Sequence, residues 1–151
     1  MRCKILGNKI KPFMSFGRMP MANSFLKKKD FNKEFFYNLE VGFNPKNYLF
    51  QVNDHPKSKS LFNDRYPFYT SKSSYMVNHF KKYFQFVEKK YLKYNSKIIE
   101  IGSNDGSLLK NFIKYKHIGF EPSKNIANFS KKFGIKVYNG FFNQTNVKKF
   151  K

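Results

Sequence analysis

Residues 97–139 most limit how this chain can fold, because short β-branched strands alternate there with helical stretches. KIIEI reads as a strand, GSNDG as a tight loop, and SLLKNFIKY as an amphipathic helix with Leu108, Leu109, Phe112 and Ile113 inward. HIGFEP is a second strand, stopped by Pro122. SKNIANFSKKFG is a second helix, with Ser123 as N-cap and Gly134 closing it, and IKVYNGFF is a third strand. Strands separated by helices of about ten residues predict a parallel, right-handed α/β sheet. Upstream, Met76, Val77, Phe80, Tyr83, Phe84, Val87 and Tyr91 recur at helical spacing behind Ser73 or Ser74 as N-cap, and Asn95-Ser96 ends that helix. Before it lie turn-rich pieces, KIKPFMSFGRMP, FFYNLEV and NYLFQV, which read as short strands without a helix. The expected organisation is a small β-rich module over residues 1–55, a Tyr/Ser-rich connection and helix over 56–95, and the parallel sheet over 96–151.

Charge narrows the function classes less than its size suggests. The chain of 151 residues carries a net charge of +21. That normally points to nucleic acid or an anionic surface. Only Arg2, Arg18 and Arg65 are arginine, however, whereas base and phosphate recognition favours the forked guanidinium. The lysines are spread along the chain and rise together with Asn, Phe, Tyr and Ile. The reading is a basic surface that binds RNA nonspecifically at low salt. A single cysteine excludes an internal disulfide and a four-cysteine zinc site. No run of ~20 apolar residues could span a membrane, and MRCKILGNKIKPF lacks the apolar stretch of a secretion leader. The expected address is the cytoplasm.

The chemistry concentrates in IIEIGSNDG, residues 98–106. Gly102 and Gly106 let a backbone approach a ligand at the end of a buried strand, and Ser103 and Asn104 lie between them. The spacing is not the G-x-G-x-x-G of dinucleotide folds. Glu100, two positions before Gly102, argues against a pyrophosphate and for a cationic or zwitterionic ligand. S-adenosyl-L-methionine has that character: an ammonium, a carboxylate and a sulfonium, without phosphate. Glu121 ends the second strand, 19 residues after Gly102, where a carboxylate can accept two ribose hydroxyls.

EIGSNDGSLL followed by GFEPS resembles the class I S-adenosylmethionine-dependent methyltransferases, specifically the sugar C-methyltransferases, which carry an N-terminal zinc-binding module. FGRMPMANSFL, YNLEV with NYLFQV, and YPFYTSKSSYMVNHF resemble further motifs of that family in the same order. The resemblance implies the first half of a Rossmann-like methyltransferase sheet. It further implies S-adenosyl-L-methionine as cofactor and a nucleotide-linked keto-deoxysugar as substrate. A base removes the proton next to the carbonyl, and the enolate takes the methyl group in line. His79 and Tyr66 match the family's His and Tyr and are expected in the substrate pocket, with the base itself unassigned. His55 and His117 match no motif.

Two departures carry expectations of their own. The family module has two C-x-x-C pairs. In this chain Cys3 fits the first ligand, whereas Leu6, Asn44 and Asn47 occupy the other three positions. No zinc is expected, Cys3 reads as an ordinary thiol, and packing of Phe13, Phe16, Phe36, Tyr48 and Phe50 is expected to replace the metal. Only 51 residues follow Glu100, room for three strands of a seven-stranded sheet. The expectation is therefore a truncated or split enzyme, inactive alone, with an exposed last strand IKVYNGFF and a separate chain supplying the remainder. The competing readings are a noncatalytic basic remnant that binds RNA or a partner protein, and an RNA methyltransferase.

Overall fold

The computed structural model describes residues 1–53 and 56–150, which form two compact units, Met1–Leu61 and Phe62–Lys151. His55 lies outside the described residues. The chain is mixed α/β, with one antiparallel and one parallel three-stranded sheet.

In the first unit β1 (Pro12–Pro20), β2 (Phe36–Asn44) and β3 (Leu49–Val52) form an antiparallel sheet in that order. The β1–β2 register slips between Pro12 and Met14 and again between Ser15 and Arg18. A 3-10 turn at Lys28–Lys33 joins those two strands, and a single helical turn, α1 (Ser58–Leu61), closes the unit. Its buried residues include Cys3, Ile10, Gly42 and Asn44. The expected aromatic core is absent. Phe13, Phe16, Tyr48 and Phe50 are each more than half exposed, and Phe36 is exposed too. Phe13 and Phe50 do meet edge to face at 5.8 Å, but on the solvent side of the sheet. Alternation explains this: side chains two apart share a face, and the opposite face takes up Cys3 and its neighbours.

In the second unit a 3-10 turn, Thr70–Lys72, leads into α2 (Ser74–Tyr91), capped as expected by Ser73, whose Oγ accepts from the Met76 N–H at 3.3 Å. Met76, Val77, Phe80, Phe84 and Val87 are half-buried, but Tyr83 and Tyr91 are exposed. Phe84 packs edge to face on Phe112 at 4.9 Å. Then come β4 (Lys97–Ile101), β5 (Lys116–Glu121), α3 (Lys124–Lys131), β6 (Val137–Asn139) and the short α4 (Gln144–Val147). The sheet is parallel in the order β4-β5-β6.

Three local expectations need correction. SLLKNFIKY is not an α-helix but a 3-10 turn at Leu109–Phe112. The Asn111 amide donates to the Ser107 and Leu108 carbonyls, competing for the acceptors a helix would use. Leu109 and Phe112, three apart, are buried as a 3-10 turn requires, whereas Ile113 is exposed. Ser123 occupies the N-cap position of α3, but its hydroxyl makes no capping bond. The last strand is also less bare than expected: Ile135 is buried, and Phe150 packs on Phe120 and Tyr138. Phe142 of that stretch stays exposed, and so do Ile99, 59 % exposed, and Ile101, 61 % exposed, on the opposite edge strand.

Candidate functional site

The site lies at the C-terminal ends of β4 and β5, where open parallel sheets bind ligands. A cavity of about 250 Å³ is lined by Phe62, Tyr66, Ile101, Gly102, Asn104, Phe120, Glu121, Pro122, Phe141 and Phe142. Ligand clefts span roughly 300–1,000 Å³, so this one has room for part of a drug-sized ligand. Gly102 has φ +71°, and a Cβ built there would meet nothing within 4 Å, so its open side is free for a ligand. Gly106, with φ +78°, serves packing instead. A Cβ there would fall 2.3 Å from the Ile135 Cδ1, so glycine permits a close approach inside the unit.

Glu121 organises the rim. Its Oε2 accepts from the Asn104 N–H at 3.0 Å, and its Oε1 accepts from the Ser123 N–H at 2.7 Å. Each oxygen keeps a lone pair for a further donor. Asn104 sits in the left-handed region, φ 47°, which Asn tolerates. Its Oδ1 accepts from the Thr70 N–H and hydroxyl, and its Nδ2 donates to the Phe68 carbonyl. Asp105 accepts from the Ser71 N–H at 2.8 Å and from the Ser107 hydroxyl at 2.6 Å. Burial would raise the Asp105 pKa, but the hydrogen bonds from Ser107 and Ser71 outweigh it and hold the carboxyl below its usual range. The loop is therefore latched to residues 68–71, and Asn125 extends the latch by donating to the Tyr66 carbonyl.

Of the residues expected in the site, Tyr66, Gly102, Asn104 and Glu121 meet at the cavity. Glu100 and Ser103 are not among its lining residues. Ser103 is buried, with a hydroxyl that finds no partner. Glu100 also has a buried, unpartnered Oε2. Burial pushes the Glu100 pKa up to about 7, and the Asp105 charge adds to that against a Leu109 N–H that favours the anion. His79 is exposed on α2 beside Phe80 and does not line the cavity. His117 has a structural place, its ring bridging the Tyr115 carbonyl and the Lys136 N–H. Sequence reasoning missed Thr70 and Ser71 as the latch and Phe62, Phe141 and Phe142 as aromatic walls. Their separation in the chain hides both, and only the Ser/Thr and aromatic density of residues 62–73 hinted at them.

In the first unit the donor set does not fit a zinc ion. Among the described residues no three His, Cys, Asp or Glu side chains group to hold a metal. Leu6 offers no donor atom, the Asn44 Oδ1 is taken by the Lys46 N–H, and the Asn47 Oδ1, buried without a partner, is a neutral amide oxygen and a poor zinc ligand. The Leu6 N–H, with help from both amides, lowers the Cys3 thiol to about 7 against the opposing effect of burial. Among the described residues no helix is long and apolar enough to cross a membrane.

No curated protein matches the chain. Residues 3–62 match the methyltransferase-associated family model Methyltransf_13, described as a "Putative zinc binding domain". The first unit is thus similar to a methyltransferase-associated module, and the match points to a methyltransferase-type function.

Proposed function

We propose that the second unit is the first half of a Rossmann-like methyltransferase domain. It binds S-adenosyl-L-methionine at the ends of β4 and β5 and serves methyl transfer to a carbon of a nucleotide-linked keto-deoxysugar. The observation that carries the reading is the pairing of the Glu121 carboxylate with the open side of Gly102 on one aromatic-walled cavity. Glu121 would accept ribose hydroxyls with its remaining lone pairs, Gly102 and Asn104 would let the ligand lie against the loop, and Phe62, Tyr66, Phe141 and Phe142 would exclude water from it. Glu100, half-buried with its pKa pushed up to about 7, would favour a positive ligand group in its ionised form. The cofactor, when bound, supplies an electrophilic methyl group. The sugar substrate rests on the upstream motifs and on the methyltransferase-associated module. No group on the cavity wall is assigned as the base, and His79 is left as a surface residue of α2.

The exposed Ile99 and Ile101 on edge strand β4 favour a second reading beside the first: cofactor binding without turnover until a further strand covers β4. That strand could come from a separate chain. The cytoplasmic address and the weak, salt-sensitive attraction to RNA belong to this proposal as well. Calorimetric titration with S-adenosyl-L-methionine, followed by methyl-transfer assays on keto-deoxysugar nucleotides and on RNA, tests it. Saturable binding that S-adenosylhomocysteine competes for is expected. The absence of any binding would overturn the reading, and transfer to RNA alone would replace the sugar with RNA.

A further inference from the structure

The first unit matches a zinc-binding description, yet only Cys3 of the four ligand positions offers a zinc ligand of the usual kind, and the structure suggests what has taken the metal's place. Cys3 and Leu6 stand three apart, as do Asn44 and Asn47, the spacing of paired zinc ligands. Each pair sits on a turn whose first side chain accepts from an N–H further along it, three residues on from Cys3 and two on from Asn44. In the first, the Cys3 Sγ accepts from the Leu6 N–H at 3.4 Å, and Gly7 follows with φ +70°. In the second, the Asn44 Oδ1 accepts from the Lys46 N–H at 3.1 Å, and Tyr48 follows with φ 55°. The two turns face each other. Asn47 Nδ2 donates to the Cys3 Sγ at 3.7 Å, and Asn44 Nδ2 donates to the Asn8 Oδ1 at 3.0 Å. The Cys3 N–H in turn bonds the Asn8 carbonyl at 2.9 Å. Cys3 is 2 % and Asn44 0 % exposed, so the cluster is the polar centre of the unit.

We infer that this is a metal-free replacement of a four-ligand centre: the two turns keep the spacing that would present ligands, and two amides of the second turn, Asn47 on the Cys3 sulfur and Asn44 on the Asn8 side chain, clamp them together in the cation's stead. A buried thiol packs as a small apolar group with a weak acceptor sulfur, and the Leu6 and Asn47 N–H groups use that acceptor without a metal. The Asn residues at positions 44 and 47 are thus the working parts of the clamp.

The test uses the full chain. Protein purified without added metal should hold ~0.1 zinc per chain or less, and a chelator should leave its melting midpoint unchanged. Asn47→Ala, which removes one donor to the sulfur, should lower the midpoint by roughly 2–4 °C. Leu6→Cys, Asn44→Cys and Asn47→Cys combined should bind about one Co²⁺ per chain, with the visible absorption of tetrahedral cobalt thiolate. Stoichiometric zinc in the wild type, or a chelator-dependent midpoint, would overturn the inference. An unchanged midpoint in Asn47→Ala would remove the clamp. A folded triple variant that ignores cobalt would show that the turns are not a matched pair.

Discussion

Replacing Glu100 by Gln should leave the chain at least as stable as the wild type at pH 8 and flatten the pH dependence of its stability. Glu100 has one buried oxygen without a partner, and burial moves its pKa from 4.5 to about 7. The sign follows from proton counting. Between these values the folded state binds the proton and the unfolded state does not, so the contribution is fully present below about 4.5 and is lost as pH rises through 7. At about 1.4 kcal/mol per pH unit, that interval amounts to about 3 kcal/mol. Gln cannot ionise, but its amide leaves one donor unpaired at roughly 1–3 kcal/mol. The variant should therefore be somewhat less stable than the wild type at pH 4.5 and equal to or more stable than it at pH 8. Urea titrations followed by circular dichroism at both values give the double difference, which cancels the other titrating groups. A variant-minus-wild-type difference that is the same at pH 4.5 and pH 8 would refute the reasoning.

Glu121→Gln keeps one carbonyl acceptor for the loop but removes the charge. It should weaken S-adenosyl-L-methionine binding at least about ten-fold by calorimetry, since charge-assisted bonds contribute roughly 1.5–3 kcal/mol each. Gly106→Ala combines a positive φ with a Cβ 2.3 Å from Ile135, so the melting midpoint should fall by roughly 10 °C or more. Asn104→Ala cuts the latch to Thr70 and Phe68, and hydrogen exchange at residues 68–71 should speed up before global stability falls. Ile99→Lys and Ile101→Lys together should reduce self-association on size exclusion without lowering the melting midpoint, because both side chains already face solvent.

What the sequence disclosed follows the range of its interactions. KIIEI and HIGFE declared themselves through β-branched residues, and α2 through a local cap that the structure retains. SLLKNFIKY misled because its apolar spacing fits a helix, while Asn111 redirects the carbonyls and leaves a 3-10 turn. Glu121 was legible as a strand-end carboxylate, but its two bonds to the Asn104 and Ser123 N–H groups were not. The latch between Asn104 and Thr70 spans 34 residues, a separation that no local pattern reveals. The aromatic replacement expected for zinc failed for a related reason. Alternation put Phe13 and Phe50 on the outer face of the sheet, and the inward position fell to Asn44, a side chain read only as a lost ligand.

The central claim is that a nucleoside cofactor lies against the loop after β4. Backbone amide resonances followed during titration with S-adenosyl-L-methionine test it directly. Saturable shifts are expected, concentrated at Gly102, Asn104 and Glu121 and at the cavity walls Tyr66 and Phe141, and persisting at high salt. Shifts spread over surface lysines such as Lys28 and Lys149 that vanish with salt, with none at Gly102 or Glu121, would contradict it.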